Sequence, residues 1–563
     1  MGMINIGYGF QFPEEYWTCE YQHLFPQQFL HILSHLLRES TPSRGILLRR
    51  RQSRQKQWDQ GELPEFSDRN SEAVTSDWQV NPIPFELQKR RVEITGPVNS
   101  AKMVISMLSR NEKGERADTA MLDFEDSMKP SFSNVLAGYS NVIGAVDGTL
   151  SVKTAEKTYQ LNPQDMAYVM VRVRGLHLVE SNLLFEGDPV PAGLLDLAVC
   201  FFHTARVYLD QNLTPKYYIP KCEHYLEARW WNDLFVSLQT RLSIPTGTLK
   251  ATFLIETLPG TFQAEEILFE IKEHAAGLNV GRWDKIFSDI KVLGKHPDRV
   301  LGDRSSLTME KSWMENYAKR VIKICHARGA FAIGGMSAYT PGKTPELREE
   351  QAHRVRADKQ REASWGHDGC WVCHPYFIGI AMEAFSRDNQ LDRTLPDFDK
   401  YSDVLPRGEG PYTLGGLRTN IRVGIAFMEG WLRDVGCVSF ENLMEDLATL
   451  EISRAQVWQW ITHKIRLDSG EQVTSELVGK LFNEEILSMM RDYPSTKWQN
   501  AGASARELFL RTKLQAFLTT ESDPVSTTKG IVSWNSSKTM HENLSSPGRV
   551  IRDGGELSGS IQR

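Results

Sequence analysis

Taken as a pattern of apolar and polar positions, the chain has three textures before its last segment. Residues 1 to about 90 are polar and helix-like. In FPQQFLHILSHLLRES, Phe29, Leu30, Leu33, Leu36 and Leu37 recur at a spacing that gathers them on one helix face, and TPSRG at 41–45 predicts the end of that helix. From RRVEITGPV onward the rhythm changes to short apolar runs alternating with helix-like stretches. The runs are VEITGPV (92–98), TAMLDFED (119–126), AYVMVRVRG (167–175), KYYIPK (216–221), ATFLIET (251–257), GAFAIGG (329–335) and CWVCHP (370–375). Strand, helix, strand at this cadence predicts a parallel sheet, and about eight such units within roughly 290 residues predict closure into a (β/α)8 barrel. After about residue 385 the strand signal fades and helices such as TNIRVGIAFMEGWLRD and SFENLMEDLATLEISRAQVWQWITHKI dominate. From about Thr520 the chain becomes rich in Ser, Gly and Thr without periodicity, which predicts a loosely packed or disordered tail. The expected organisation is an α/β protein with a helical segment 1–90, a TIM barrel 91–385, an all-helical domain 386–520 and a tail 521–563.

Within the barrel region, the stretch from Lys250 to Phe287 sets two acids, Glu256 and Asp284, about one strand-plus-helix repeat apart. Active sites of such barrels are built at the strand mouths, so the pair is a candidate for one hard divalent cation such as Mg²⁺, with helix capping or arginine pairing as the structural alternative. In Tyr168–Gly175, Arg172 and Arg174 fall on one face of a strand and suggest a site for developing negative charge. The competing account pairs one of them with the acids of Asp123–Asp126. Asp446, in the apolar stretch LMEDLATLEISR, has its charged form disfavoured by desolvation if buried, which suits proton transfer; a surface acid at a helix end is the alternative. Cys370-Trp-Val-Cys373-His374 matches the spacing of haem attachment, and with His367 nearby suggests zinc as the other metal reading, but the segment reads as a buried strand ending in a loop, and its cysteines are expected to be reduced core residues.

Composition narrows the class. At 563 residues the chain exceeds a single core, and 41% hydrophobic with 24% charged residues is an ordinary balance. A net charge of −6 argues against a chain-wide commitment to nucleic acid or anionic membrane. The basic cluster Arg49, Arg50, Arg51, Arg54 and Lys56 reads as a solvated helix face. PAGLLDLAVCFFHTARVYL is interrupted by Asp196, His203 and Arg206 and is expected to be a buried helix rather than a membrane span. The seven cysteines suggest a reducing compartment, no export signal is visible at the N-terminus, and a cytoplasmic location is expected.

At KEHAAGLNVGRWDKIF the sequence closely resembles the signature segment of malate synthases of the shorter A type. RRVEITGPV, LDFEDS, VRVRGLHLVE, GTLKATFLIETLPGTFQAEEI, PDRVLGDRSSLTM, HARGAFAIGGMSA, GHDGCWVCHP and LMEDLATLEISRAQVWQW extend the resemblance over roughly residues 10–520. The resemblance implies a TIM barrel with an N-terminal helical clasp and a C-terminal helical plug. It also implies Mg²⁺-dependent condensation of acetyl-CoA with glyoxylate, followed by hydrolysis to malate and CoA in the glyoxylate cycle. Carried over by position, Glu256 and Asp284 bind Mg²⁺, Arg172 is the catalytic arginine and Asp446 the catalytic base. Backbone amides of Gly281, Arg282, Trp283 and Asp284 hold the glyoxylate carboxylate, with Arg172 and Glu256 also at the substrate. Related Mg²⁺-dependent malyl-CoA and citramalyl-CoA lyases lack the long helical domain carrying LMEDLATLEISR, and a non-catalytic scaffold would have no need of all four residues. Lys285 stands where the signature usually has Tyr, Cys370 and Cys373 stand where Thr and Ala are usual, and the resemblance ends near residue 520.

Overall fold

The computed structural model describes residues 2–155 and 157–519. Eight parallel strands close into a barrel: Val92–Pro97, Thr119–Asp123, Tyr168–Arg172, Lys216–Ile219, Lys250–Leu254, Ala275–Asn279, Phe331–Ser337 and Gly369–Val372. Strands walled by helices outside and packed side chains inside have no wet face, which is why they read as apolar runs rather than alternating ones. Met121, Met170, Tyr218, Leu254, Phe331, Ile333 and Trp371 cluster together in the wall. The register sets Pro97 beside Asp123, Asp123 beside Arg172, and Leu254 beside Asn279, so the C-terminal strand ends share one rim.

The sixth strand, Ala275–Asn279, is absent from the apolar runs because it is small-residued and interrupted by Gly277. A Cβ there would lie 2.2 Å from the carbonyl oxygen of Phe331, so only glycine allows the neighbouring strand to approach.

The N-terminal segment departs from the helical expectation in two places. Met3–Gly7 and Phe10–Pro13 are strands, joined in a four-stranded antiparallel sheet with Val179–Phe185 and Asp188–Pro191. The long helix does not stop at TPSRG; it runs from Gln27 to Asp59 with Pro42 inside it. Proline removes one helical hydrogen bond, and here tertiary contacts outweigh that loss. Leu36, Leu37, Leu47 and Trp58 are buried, and Arg44 donates to the carbonyls of Leu176 and Leu178 at 2.7 and 3.1 Å. The basic cluster on this helix is solvated at Arg49, Arg50 and Lys56 but not throughout. Arg51 is buried and forks onto Glu227 with two 2.7 Å bonds, and Arg54 leans toward Glu223 at 3.7 Å. Helix Ala192–Asp210, apolar enough by composition to span a bilayer, is mostly buried against the barrel, as its interrupting polar residues imply.

Beyond the barrel, helices Leu414–Leu432, Leu447–Thr462, Ser475–Asp492 and Trp498–Phe509 share a separate core containing Leu417, Phe427, Trp431, Trp460 and Phe482. This region is not purely helical, because Val438–Phe440 and Leu443–Glu445 form a hairpin that delivers the chain to Asp446. Helix Leu447–Thr462 packs against barrel helix Arg282–Val292. The segment ending at residue 519 straps the two together: Leu518 donates to Glu451 at 2.7 Å, and Phe517 stacks on His177 with ring centres 4.0 Å apart. The tail expected at 521–563 lies outside the described residues.

Candidate active site

Each candidate side chain follows the end of a barrel strand, except one brought from outside. Arg172 closes the third strand and forks onto Asp123, which closes the second: Nε to Oδ1 is 2.7 Å and Nη2 to Oδ2 is 2.6 Å. The remaining nitrogen, Nη1, lies 3.4 Å from Glu125 and 3.5 Å from Asp126. Burial disfavours both charges, but each outweighs that for the other. Arg172 is held well above its ordinary value, and Asp123 is held below the usual carboxylate range by Arg172, by Ser127 and by the amide of Glu125. Arg174 lies past the strand end and turns away, onto Asp196 and Glu180 at 2.8 Å each. The expectation that acids of Asp123–Asp126 pair one of the two arginines therefore applies to Arg172, and both arginines are paired.

Glu256 and Asp284 line the same cavity of about 240 Å³ as Arg172. Gly281, the residue before helix Arg282–Val292, is required by this approach: a Cβ there would sit 2.7 Å from both Cβ and Oε2 of Glu256. The cavity is also bounded by Arg282 and Trp283. Lys221 ties the two acids together and went unnoticed in KYYIPK. Its amide donates to Glu256 Oε1 at 2.9 Å, while Nζ reaches Glu125 and Asp126 at 2.8 Å and lies 3.2 Å from Asp284 Oδ1. Its φ of +52° is left-handed, a cost of roughly 1–2 kcal/mol for a non-glycine residue. Such strain persists where surrounding bonds over-determine it, often at functional sites. The sequence signal was positional: a lysine just past a strand end, where Arg172 and Glu256 also stand.

Four carboxylates, Glu125, Asp126, Glu256 and Asp284, thus face two cations, Arg172 and Lys221. Burial first, then Asp126, raises Glu125 and Asp284 well above the usual range; burial also raises Glu256. Glu125 Oε2 and Asp284 Oδ1 are buried without a hydrogen bond, the 3.2 Å approach of Lys221 to the latter notwithstanding. An excess of buried negative charge with unsatisfied oxygens fits a hard divalent cation. Among the described residues no set of three or more His, Cys, Asp and Glu side chains forms a ready-made cage. Glu256 and Asp284 would accordingly leave several positions to water or substrate oxygen.

Asp446 enters from the helical domain. It does not sit inside a helix, as its apolar setting suggested, but caps helix Leu447–Thr462. Its Oδ1 accepts from the Thr449 amide at 3.2 Å, and Thr449 Oγ1 accepts from the Asp446 amide at 3.0 Å, a reciprocal capping box. Although at a helix end it is buried, because Leu447 N–H docks on the Asp126 carbonyl at 3.2 Å and turns the cap into the cavity. Burial, with Asp126 next in effect, pushes its carboxyl up to about 7 against the pull of Arg172. Cys373 and His374 also border the cavity, whereas Cys370 is buried in the barrel wall; His374 Nδ1 accepts from the Tyr376 amide at 3.1 Å.

Comparison with known proteins agrees along the chain. Residues 9–71 match the family profile "Malate synthase, N-terminal domain", 168–400 "Malate synthase, TIM barrel domain" and 412–523 "Malate synthase, C-terminal". Malate synthase A of Escherichia coli K12 is 43% identical over 466 residues, covering 81% of this chain and 86% of that protein. The chain belongs to the malate synthase family. The malate synthase of Myxococcus xanthus is 44% identical over 478 residues, covering 84% and 87%, and that of Dictyostelium discoideum is 42% identical over 491 residues, covering 84% and 89%. Malate synthases are acyltransferases, and the chain is an enzyme of that class.

Lys285, the departure from the malate synthase signature, does not enter the cavity. Its ammonium is fully buried on Asp289, one turn along the helix, at 2.5 Å. Burial still holds the Asp289 carboxyl up at about 6, and its Oδ2 has no partner. Removing one member of such a pair leaves an uncompensated charge, so Lys285→Met is expected to cost about 3–5 kcal/mol at pH 8 in denaturant unfolding. The carboxyl takes a proton more readily folded than unfolded, and more readily still once Lys285 no longer holds it down, so the deficit deepens as pH rises above about 6. Lys285→Met/Asp289→Leu should recover most of it; a single variant as stable as the parent would contradict the pair's importance.

Proposed function

We propose that this chain condenses acetyl-CoA with glyoxylate, using Asp446 as base, Arg172 as enolate stabiliser and a divalent cation, Mg²⁺, at Glu256 and Asp284. The observation that carries the reading is one cavity shared by a raised carboxyl from the helical domain and by Arg172, Glu256 and Asp284 from the barrel rim. Asp446 as carboxylate takes a proton from the acetyl methyl group, and the guanidinium of Arg172 stabilises the charge that develops on the thioester oxygen. The enolate carbon then attacks the aldehyde carbon of glyoxylate, and hydrolysis of the resulting malyl thioester frees malate and CoA. Glyoxylate's carboxylate would be held by the first amides of helix Arg282–Val292, whose capping residue Gly281 has no side chain to occupy them. The cation, when bound, supplies Lewis-acid polarisation of the aldehyde.

The test is release of free CoA, followed with a thiol reagent. It should require both substrates and a divalent cation, and cease with chelator. Because Asp446 must be unprotonated to act, kcat should rise with pH through about 7 on its acid side. Folded protein that releases no CoA, or releases it without glyoxylate, would overturn the reading.

A further inference from the structure

One motif has no part in the chemistry above: LGDRSSL, residues 301–307. This turn is where the helical domain docks. The indole N–H of Trp460 donates to the Leu301 carbonyl at 2.9 Å, the side-chain amide of Gln456 donates to the Gly302 carbonyl, and Thr413 donates its amide and hydroxyl to the Asp303 carboxylate at 3.0 and 2.6 Å. Arg304 follows, buried, with its guanidinium pointed at the segment that carries Asp446. Its Nη2 donates to Glu445 Oε1 at 2.7 Å and its Nη1 to Ser453 Oγ at 3.1 Å. Its Cζ lies 6.0 Å from the ring centre of Trp283, the residue before Asp284. One planar group therefore bonds to the strand before Asp446 and the helix after it, and faces the start of the helix holding Asp284.

We propose that Arg304 is a positioning residue that holds Asp446 in register with Glu256 and Asp284 on the barrel rim and neutralises Glu445 beside it. The proposal rests on Asp446 being the base. A guanidinium suits the task because its fork is rigid and always charged, whereas an ammonium on a flexible stem could not hold Glu445 and Ser453 at fixed separation. Glu445 is buried, and among the described residues Arg304 is its only ion-pair partner; its Oε2 has no hydrogen bond. The charged groups facing Asp446 are Asp126 and Arg172 from the barrel rim and Glu445 next to it, with the thiols of Cys373 and Cys437 nearby. Asp126 and Glu445 oppose the carboxylate form and Arg172 favours it. Loss of Arg304 would leave Glu445 as a bare buried anion against the base, as well as freeing the hairpin.

The test compares Arg304→Gln, Arg304→Lys and Arg304→Gln/Glu445→Gln in the full chain, with Asp446→Asn as reference, measuring CoA release against pH. Arg304→Gln should lower kcat at pH 8 by about tenfold or more through lost alignment, with KM for glyoxylate changed less than about twofold. It should also move the acid limb of kcat upward by about one pH unit, the effect of an unscreened neighbouring like charge. The double variant should return the limb to its parental position while kcat stays low, and Arg304→Lys should keep the limb yet lose kcat. A merely structural arginine would change the amount of active protein and leave the limb in place. An unmoved limb in folded Arg304→Gln, or a limb still displaced in the double variant, overturns the proposal; if Arg304→Gln does not fold, parental kcat in Arg304→Lys overturns it. Asp446→Asn that still turns over would instead sink the base, so the two failures are distinguishable.

Discussion

Asp446→Asn is expected to lower turnover by about 10³-fold or more while leaving the fold and glyoxylate binding intact. The substitution isolates the chemistry because asparagine caps helices as well as aspartate does. The bond from the Thr449 amide to Oδ1 can therefore survive, and helix Leu447–Thr462 keeps its start. What is lost is a carboxylate whose proton affinity, near pH 7, matches the working pH and favours proton abstraction from a weak carbon acid. Two measurements check it: CoA release with both substrates, and glyoxylate binding by calorimetry in the presence of Mg²⁺. Turnover within tenfold of the parent would mean that another group removes the proton.

Arg172→Lys should cost about 10²–10³-fold in kcat, more than a change that preserves charge would ordinarily cost. Arg172 uses Nε and Nη2 on Asp123 and holds Nη1 toward Glu125, Asp126 and the cavity. A lysine can satisfy Asp123 or face the cavity, but not both. Retained positive charge keeps the buried carboxylates compensated, so stability should fall far less than for Arg172→Met, where roughly 3–5 kcal/mol is expected. Exchange of the acetyl-CoA methyl protons with deuterated solvent reads the enolate step directly and should slow with kcat. Exchange at the parental rate in Arg172→Lys would remove Arg172 from enolate stabilisation.

The cadence of apolar runs established the barrel, because a strand buried on both sides has no choice but to be apolar. The same rule concealed the sixth strand, whose glycine answers to the neighbouring Phe331 carbonyl rather than to any local propensity. The long helix shows the reverse. Its local stop signal at TPSRG was overridden by contacts of Arg44 and Arg51 with residues more than a hundred positions away. Arg172, Glu256 and Asp284 were legible as residues of the barrel rim because rim position follows from strand position. Lys221 has the same position but was missed, since nothing in KYYIPK signals its left-handed backbone or its four carboxylate neighbours.

By itself, then, the sequence determined the fold class, the family resemblance and three rim residues, all of which depend on local periodicity and on motifs contiguous in the chain. Only the tertiary structure decided how Asp446 reaches them. It caps a helix at the end of a hairpin that the apolar pattern did not reveal, is buried where that helix docks on the barrel beside the Asp126 carbonyl, and is gripped through Glu445 by Arg304 from the opposite domain. The proton affinity of that carboxylate arises from burial and from groups as far as 320 positions upstream, since 446 − 126 = 320, and its alignment from Arg304, all beyond the reach of any local pattern. Desolvation and charge act through space, and space is what folding alone defines.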